Sequence, residues 1–226
     1  GLVGRSLEGW CSVAGHRQMG MVLSIEAVGG TDAALAAADQ MPTGHDGHDS
    51  APGDTTVTAD QIDLMAEPGP DAVTYDPRLP PAAATRVHRV RLVVTEVEAE
   101  VAPGIRQTRW TFGGTAPGPV LRGKVGDTFI VTLVNDGSIG HSIDFHAGAL
   151  APDGPMRTIA PGETLEYRFT ATRAGIWMYH CSTMPMSMHI ANGMFGAVII
   201  DPPDLAPVDR EYVLVQSESY LGPQAG

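Results

Sequence analysis

From Arg86 onward the chain is cut into short apolar runs by turn residues, and that pattern points to an all-β fold. Val87, Arg89, Arg91 and Val93 alternate with His88, Val90, Leu92 and Val94. Period two marks a strand with one covered face, because successive side chains point to opposite sides. Further strands are expected at 107–112, 128–135, 141–146, 164–171, 175–181, 196–201 and 211–217. Turn chemistry separates them at Gly113-Gly114, Pro117-Gly118-Pro119, Gly126-Asp127, Asp136-Gly137, Pro161-Gly162 and Pro202-Pro203. Seven or eight short strands at this spacing predict a Greek-key β-sandwich.

With 226 residues, the chain is long enough for one such sandwich and additional material. The formal net charge of −12 argues against a nucleic-acid partner, since no basic patch is present to release counterions. No apolar run reaches the length of a membrane span, and no charged-then-apolar signal segment opens the chain. Residues 1–28 read as the closing part of a preceding domain, ending in a strand-like run at 21–28. Residues 29–85 read as an Ala, Gly, Pro and Asp-rich linker, with a helical turn or two over 31–40. The sandwich is expected over 86–205, and 206–226 read as the opening of a second, truncated domain.

The chemistry concentrates on one short loop. Cys181, His189 and Met194 follow one another there, and His141 lies upstream. One thiolate, two imidazoles and one thioether form the ligand set of a mononuclear type 1 blue-copper centre. Strand parity then sorts the neighbours. His180 and Cys181 are adjacent and point to opposite faces of their strand, while Asp144 and His146 share the face opposite His141. If the two strands are neighbours, His141 and Cys181 face inward, and Asp144, His146 and His180 face outward together. The outer set holds two imidazoles and a carboxylate. It needs a third ligand from elsewhere and keeps a position open for substrate, as a catalytic metal requires. Asp144 is placed to shuttle protons rather than to ligate. The dipeptide itself is a short covalent path between the two metals.

Four segments carry a family resemblance: His141-Ser-Ile-Asp-Phe-His146, Pro161-Gly-Glu163, Gly175-Ile-Trp-Met-Tyr-His-Cys181 and His189-Ile-Ala-Asn-Gly-Met-Phe-Gly196. Together they resemble the first cupredoxin domain of copper-containing nitrite reductases. Trp110-Thr-Phe-Gly-Gly-Thr-Ala-Pro-Gly-Pro119 is similar to that domain's early strand and turn. The resemblance covers roughly residues 86–220 and implies a cupredoxin sandwich. It implies His141, Cys181, His189 and Met194 as type 1 copper ligands, His146 and His180 as type 2 copper ligands, and Asp144 as the catalytic acid. It also implies nitrite as substrate, an electron-donor protein or tethered cupredoxin domain as partner, and an extracytoplasmic (periplasmic or cell-surface) location. In that family a homotrimer completes the type 2 site, with the third imidazole coming from a second domain of the neighbouring subunit. The loop from Cys181 to His189 is slightly shorter than in the best-known members. Cys11, His16 and Met21 resemble the closing loop of a separate small blue-copper domain, here an incomplete extra type 1 set.

Plainer readings stand beside these. A Cys11–Cys181 disulfide competes with the two metal loops, and each cysteine's own His and Met neighbours favour metal. Met19, Met184, Met186 and Met188 read as packing, with a copper-loading role for the last three as the minority view. His45 and His48 read as part of a solvated linker, and His88 as structural. Two other functions fit the ligands in part. A laccase-like oxygen-reducing oxidase requires His-x-His pairs and often His-Cys-His, whereas Ser182 follows Cys181 and the upstream pair is His141-x4-His146. A pure electron carrier requires the inner set alone.

Overall fold

The computed structural model describes residues 7–10, 22–25 and 62–220, the last range without 64, 71, 73, 152 and 153. The chain divides into two units, Gly1–Gly53 and Asp54–Gly226. In the first, strands β1 (Leu7–Trp10) and β2 (Val22–Ile25) pair antiparallel, Leu7 opposite Ile25. The run expected at 21–28 is thus a strand at its centre. Cys11, His16, Met21, His45, His48 and the 31–40 segment lie outside the described residues.

The second unit contains two four-stranded sheets. In one, the long strand β3 (Val87–Ala102) pairs antiparallel with β4 (Ile105–Phe112) and parallel with β6 (Thr128–Asn135), and β6 pairs antiparallel with β8 (Thr164–Thr170). In the other, β10 (Phe195–Asp201) pairs parallel with β5 (Leu121–Lys124) and antiparallel with β9 (Gly175–His180). The two-residue β7 (Asp144–Phe145) closes that sheet on β9. Chain-distant strands pair in both sheets, which makes the connections Greek-key in character. The alternation in β3 is realised: His88, Leu92 and Val94 are buried, while Arg89 and Arg91 are exposed.

Three segments depart from the pattern. β5 is not expected from sequence, because Leu121-Arg-Gly-Lys124 carries one large apolar residue; its pairing with β10, Leu121 opposite Val198, holds it in place. The stretch 141–146 is not one strand. His141 forms an isolated bridge to Ile159, β7 spans two residues, and His146–Gly148 is a 3-10 turn closed by Ala149 in the left-handed region. Among the described residues the 211–217 run makes one bridge, Arg78 opposite Tyr212, flanked by Leu79 N–H to Glu211 O and Val213 N–H to Pro77 O. The opposing segment carries Pro77, Pro80 and Pro81, which lack the N–H groups a longer ladder needs.

The core lies between the sheets and is largely aromatic. Phe129 stacks on Phe169, Phe169 on Phe145, and Phe145 on Tyr179, with centroids 4.9, 5.1 and 5.1 Å apart. Phe145 therefore anchors β7 in the core despite the strand's length, and fixes the residues on either side of it, Asp144 and His146.

Candidate metal centres

Among the described residues, two clusters of ligand-type side chains form. The first joins His141, Cys181 and His189, all buried. His141 Nδ1 lies 3.1 Å from His189 Nδ1, and Cys181 Sγ lies 3.9 and 3.4 Å from those two nitrogens. A triangle of this size has a centre about 2 Å from each corner, the bond length that imidazole nitrogen takes to a late first-row metal.

Each arm of this cluster has its own support. His141 is held by reciprocal backbone bonds with Ile159 (3.1 and 2.8 Å). Asn135 donates to the carbonyls of Ile139 and Ile159, bracing the loop that leads to His141. His189 lies in helix α1 (Met186–Ala191), inside what reads from sequence as plain loop. Met194 is fully buried, donates its N–H to His189 O, and accepts the Cys181 N–H at 3.1 Å. Gly193 permits that return: its φ is +119°, and an added Cβ would sit 2.7 Å from Ala116 Cβ and 2.9 Å from Trp110 O. Trp110 packs against both imidazoles, at 5.5 and 4.9 Å between centroids.

Burial lowers the His141 pKa to about 4, with the neighbouring His189 acting the same way and Glu96 opposing, and burial also lowers that of His189. Both rings are therefore neutral near pH 7, each with one lone pair free for a cation. The remaining ring nitrogen of His141, Nε2, is buried without a hydrogen-bond partner. The Ser142 N–H points at Cys181 Sγ from 3.4 Å, and Ser142 Oγ ties in Ser182 and Thr183. Soft sulfur and two neutral imidazoles in a dry pocket fit a copper ion.

The second cluster joins Asp144, His146 and His180, half-buried, exposed and buried respectively. Asp144 stands directly opposite His180 in the β7–β9 ladder. The two imidazoles meet at 3.0 Å between Nε2 atoms, and Asp144 Oδ2 lies 4.0 Å from His146 Nε2. His180 Nδ1 lies 2.9 Å from the Cys181 carbonyl oxygen. A carbonyl only accepts, so Nδ1 is the donor there and Nε2 is the nitrogen that faces His146. The expected outward face is only partly exposed: His146 is exposed and Asp144 half-buried, but His180 is buried. Ser142, Trp110 and Tyr167 are contacts of these clusters that sequence reasoning does not single out. Their types carry no ligand signal, and only the fold brings them close.

Adjacent residues thus serve different clusters, His180 one and Cys181 the other. A family model described as multicopper oxidase matches residues 93–205, half of the chain. The copper-containing nitrite reductase of Neisseria meningitidis serogroup A is 37% identical over 165 residues, covering 69% of this chain and 42% of its own. A solved copper nitrite reductase from Nitrosomonas europaea is 45% identical with a TM-score of 0.56, over 59% of this chain and 49% of that one. A solved multicopper oxidase is 34% identical with a TM-score of 0.50, over 54% and 45%. The chain spans about two-fifths of the length of the Neisseria relative it matches. Because the matched stretch contains β4 to β10 and every residue of both clusters, the chain belongs to the multicopper oxidase family.

Proposed function

We propose that residues 86–205 are the first cupredoxin domain of a copper-containing nitrite reductase. His141, Cys181, His189 and Met194 hold a type 1 copper, and His146 and His180 hold a type 2 copper. Copper at these positions supplies one-electron transfer and a Lewis acid for nitrite. The overall reaction takes nitrite, one electron and two protons to nitric oxide and water. The observation that carries this reading is the Asp144–His146–His180 cluster, one peptide bond away from the thiolate cluster. A carrier of electrons alone has no use for it.

The residues divide the work. The buried Cys181 cluster holds its ligands rigidly, which suits electron transfer without rearrangement. The His180-Cys181 dipeptide is the covalent path between the clusters. The exposed edge at His146 admits a small anion, and Asp144 holds a carboxylate beside it for proton delivery. His146 and His180 leave the outer site one imidazole short, and a neighbouring subunit of a homotrimer supplies it. A donor protein or a tethered cupredoxin domain reduces the inner site, and the assembly works outside the cytoplasm. Cys11, His16 and Met21 belong to that tethered domain.

The similarity to a solved multicopper oxidase favours a second reading, oxygen reduction of the laccase type. Ser182 after Cys181 and the spacing from His141 to His146 oppose it. One assay pair decides between them in the copper-loaded native protein. Nitrite-dependent nitric oxide release from a reduced donor is expected. Oxygen consumption with phenols and no nitric oxide would overturn the proposal, as would an electron paramagnetic resonance spectrum lacking a type 2 signal.

A further inference from the structure

Tyr167 is fully buried on β8 and points across the core toward β7. Its hydroxyl oxygen lies 3.5 Å from Phe145 N and 3.2 Å from Asp144 Oδ1. A backbone N–H only donates, so the phenol oxygen accepts from Phe145 and its own proton goes to the Asp144 carboxylate. Asp144 Oδ1 is therefore engaged from the core side, and Oδ2 is the oxygen that faces His146 Nε2 at 4.0 Å. Without such a bond the carboxylate turns in a broad torsional well and either oxygen can face the imidazoles.

Packing alone does not require this hydroxyl. Tyr167 sits between Leu165 and Phe169 on the inward face of β8, and its ring packs 5.3 Å from that of Phe145. A phenylalanine would fill the same space without burying a polar oxygen, which is costly unless bonded. The hydroxyl reaches the one dipeptide of β7, beside the outer cluster.

We propose that Tyr167 is a positioning residue for Asp144: it fixes which carboxylate oxygen is presented to a ligand at the His146–His180 pair. The inference rests on the reading of Asp144 as proton donor to nitrite. It acts on orientation, so it predicts a loss of rate in the conservative variant with no change at the thiolate cluster.

The test uses Tyr167→Phe in the copper-loaded holoenzyme. Its kcat/KM for nitrite is expected to fall by about tenfold to a hundredfold, the upper figure being the scale of an ångström-level misplacement of a catalytic group. The visible thiolate absorption stays unchanged. A crystal structure of the variant is expected to show the introduced phenyl ring in the place of the tyrosine ring and the Asp144 carboxylate turned. In an Asp144→Asn background the same substitution is expected to cost nothing further. An unturned carboxylate, an unchanged rate in the single variant, or an equal loss in both backgrounds would overturn the inference. If Asp144→Asn alone leaves turnover intact, the proton role of Asp144 fails. The crystal structure then decides orientation by itself, a turned carboxylate supporting it and an unturned one overturning it.

Discussion

His141 shows how burial sets the charge of a side chain. Its ring is fully buried, its Nε2 has no partner, and its pKa lies near 4 against an ordinary 6.5. The folded state therefore binds fewer protons than the unfolded state between those values. For the metal-free protein, the stability tied to this group is fully present above pH 6.5. It is lost as the pH falls toward 4, by about 3 kcal/mol at 1.4 kcal/mol per unit. His189, lowered by burial, adds in the same direction. Urea unfolding of metal-free protein at pH 7.5 and 4.5 measures the difference. His141→Leu is expected to flatten that dependence, and an equally steep slope in the variant would place its origin elsewhere.

At the scale of elements, the strand carrying His180 and leading into Cys181 is fixed by an aromatic side chain and a missing one. Tyr179 is fully buried, and its hydroxyl donates to Pro119 O at 2.7 Å. Gly196 pairs with Tyr179 across the β9–β10 ladder, and a Cβ there would collide with the tyrosine ring and hydroxyl. Gly196→Ala is expected to destabilise the protein by about 3 kcal/mol, since the ring is locked by its hydrogen bond and the Phe112 and Phe145 contacts. Denaturation with an unchanged urea dependence would report it. Tyr179 precedes His180 on β9, so a crystal structure of the variant is expected to show the 3.0 Å spacing of the His146 and His180 Nε2 atoms altered as well. A substitution with no effect on either would show that β9 absorbs the shift.

Across the whole second unit, one arginine joins segments far apart in sequence. Arg122 on β5 bonds Asp201 at 2.9 Å, Glu211 through two nitrogens at 3.0 and 2.8 Å, and the Pro80 carbonyl at 2.9 Å. Burial opposes its charge, and the bonds from Glu211 and Asp201 outweigh that and raise its pKa. The segment entering the sandwich and the one leaving it are thus pinned to the same sheet. Arg122→Met strands the buried Asp201 carboxylate and is expected to cost about 3 kcal/mol. Hydrogen exchange is expected to rise in 75–81 and 208–215 while β6 and β8 stay protected. Uniform exchange across all four segments would mean that the clamp is not local.

The sandwich, its period-two strands and the donor-type side chains that gather in the two clusters are legible in the sequence, because alternation and donor type are local properties. Parity at His180 and Cys181 by itself assigns the two side chains to different clusters. What could not be read locally is what long-range contact decides. β5 exists only through β10, and 141–146 breaks into a bridge, a two-residue strand and a turn that the core aromatic Phe145 holds. The loop around His189 winds into a helix so that Met194 can return to Cys181. Tyr167 looks like one more inward residue of β8 until β7 is laid beside it. The sequence determined which donor atoms this protein has, and that neighbours such as His180 and Cys181 turn to different sides. Tertiary packing alone decided their distances, their burial and therefore their charge, because desolvation and hydrogen bonding depend on neighbours that the chain brings together only when folded.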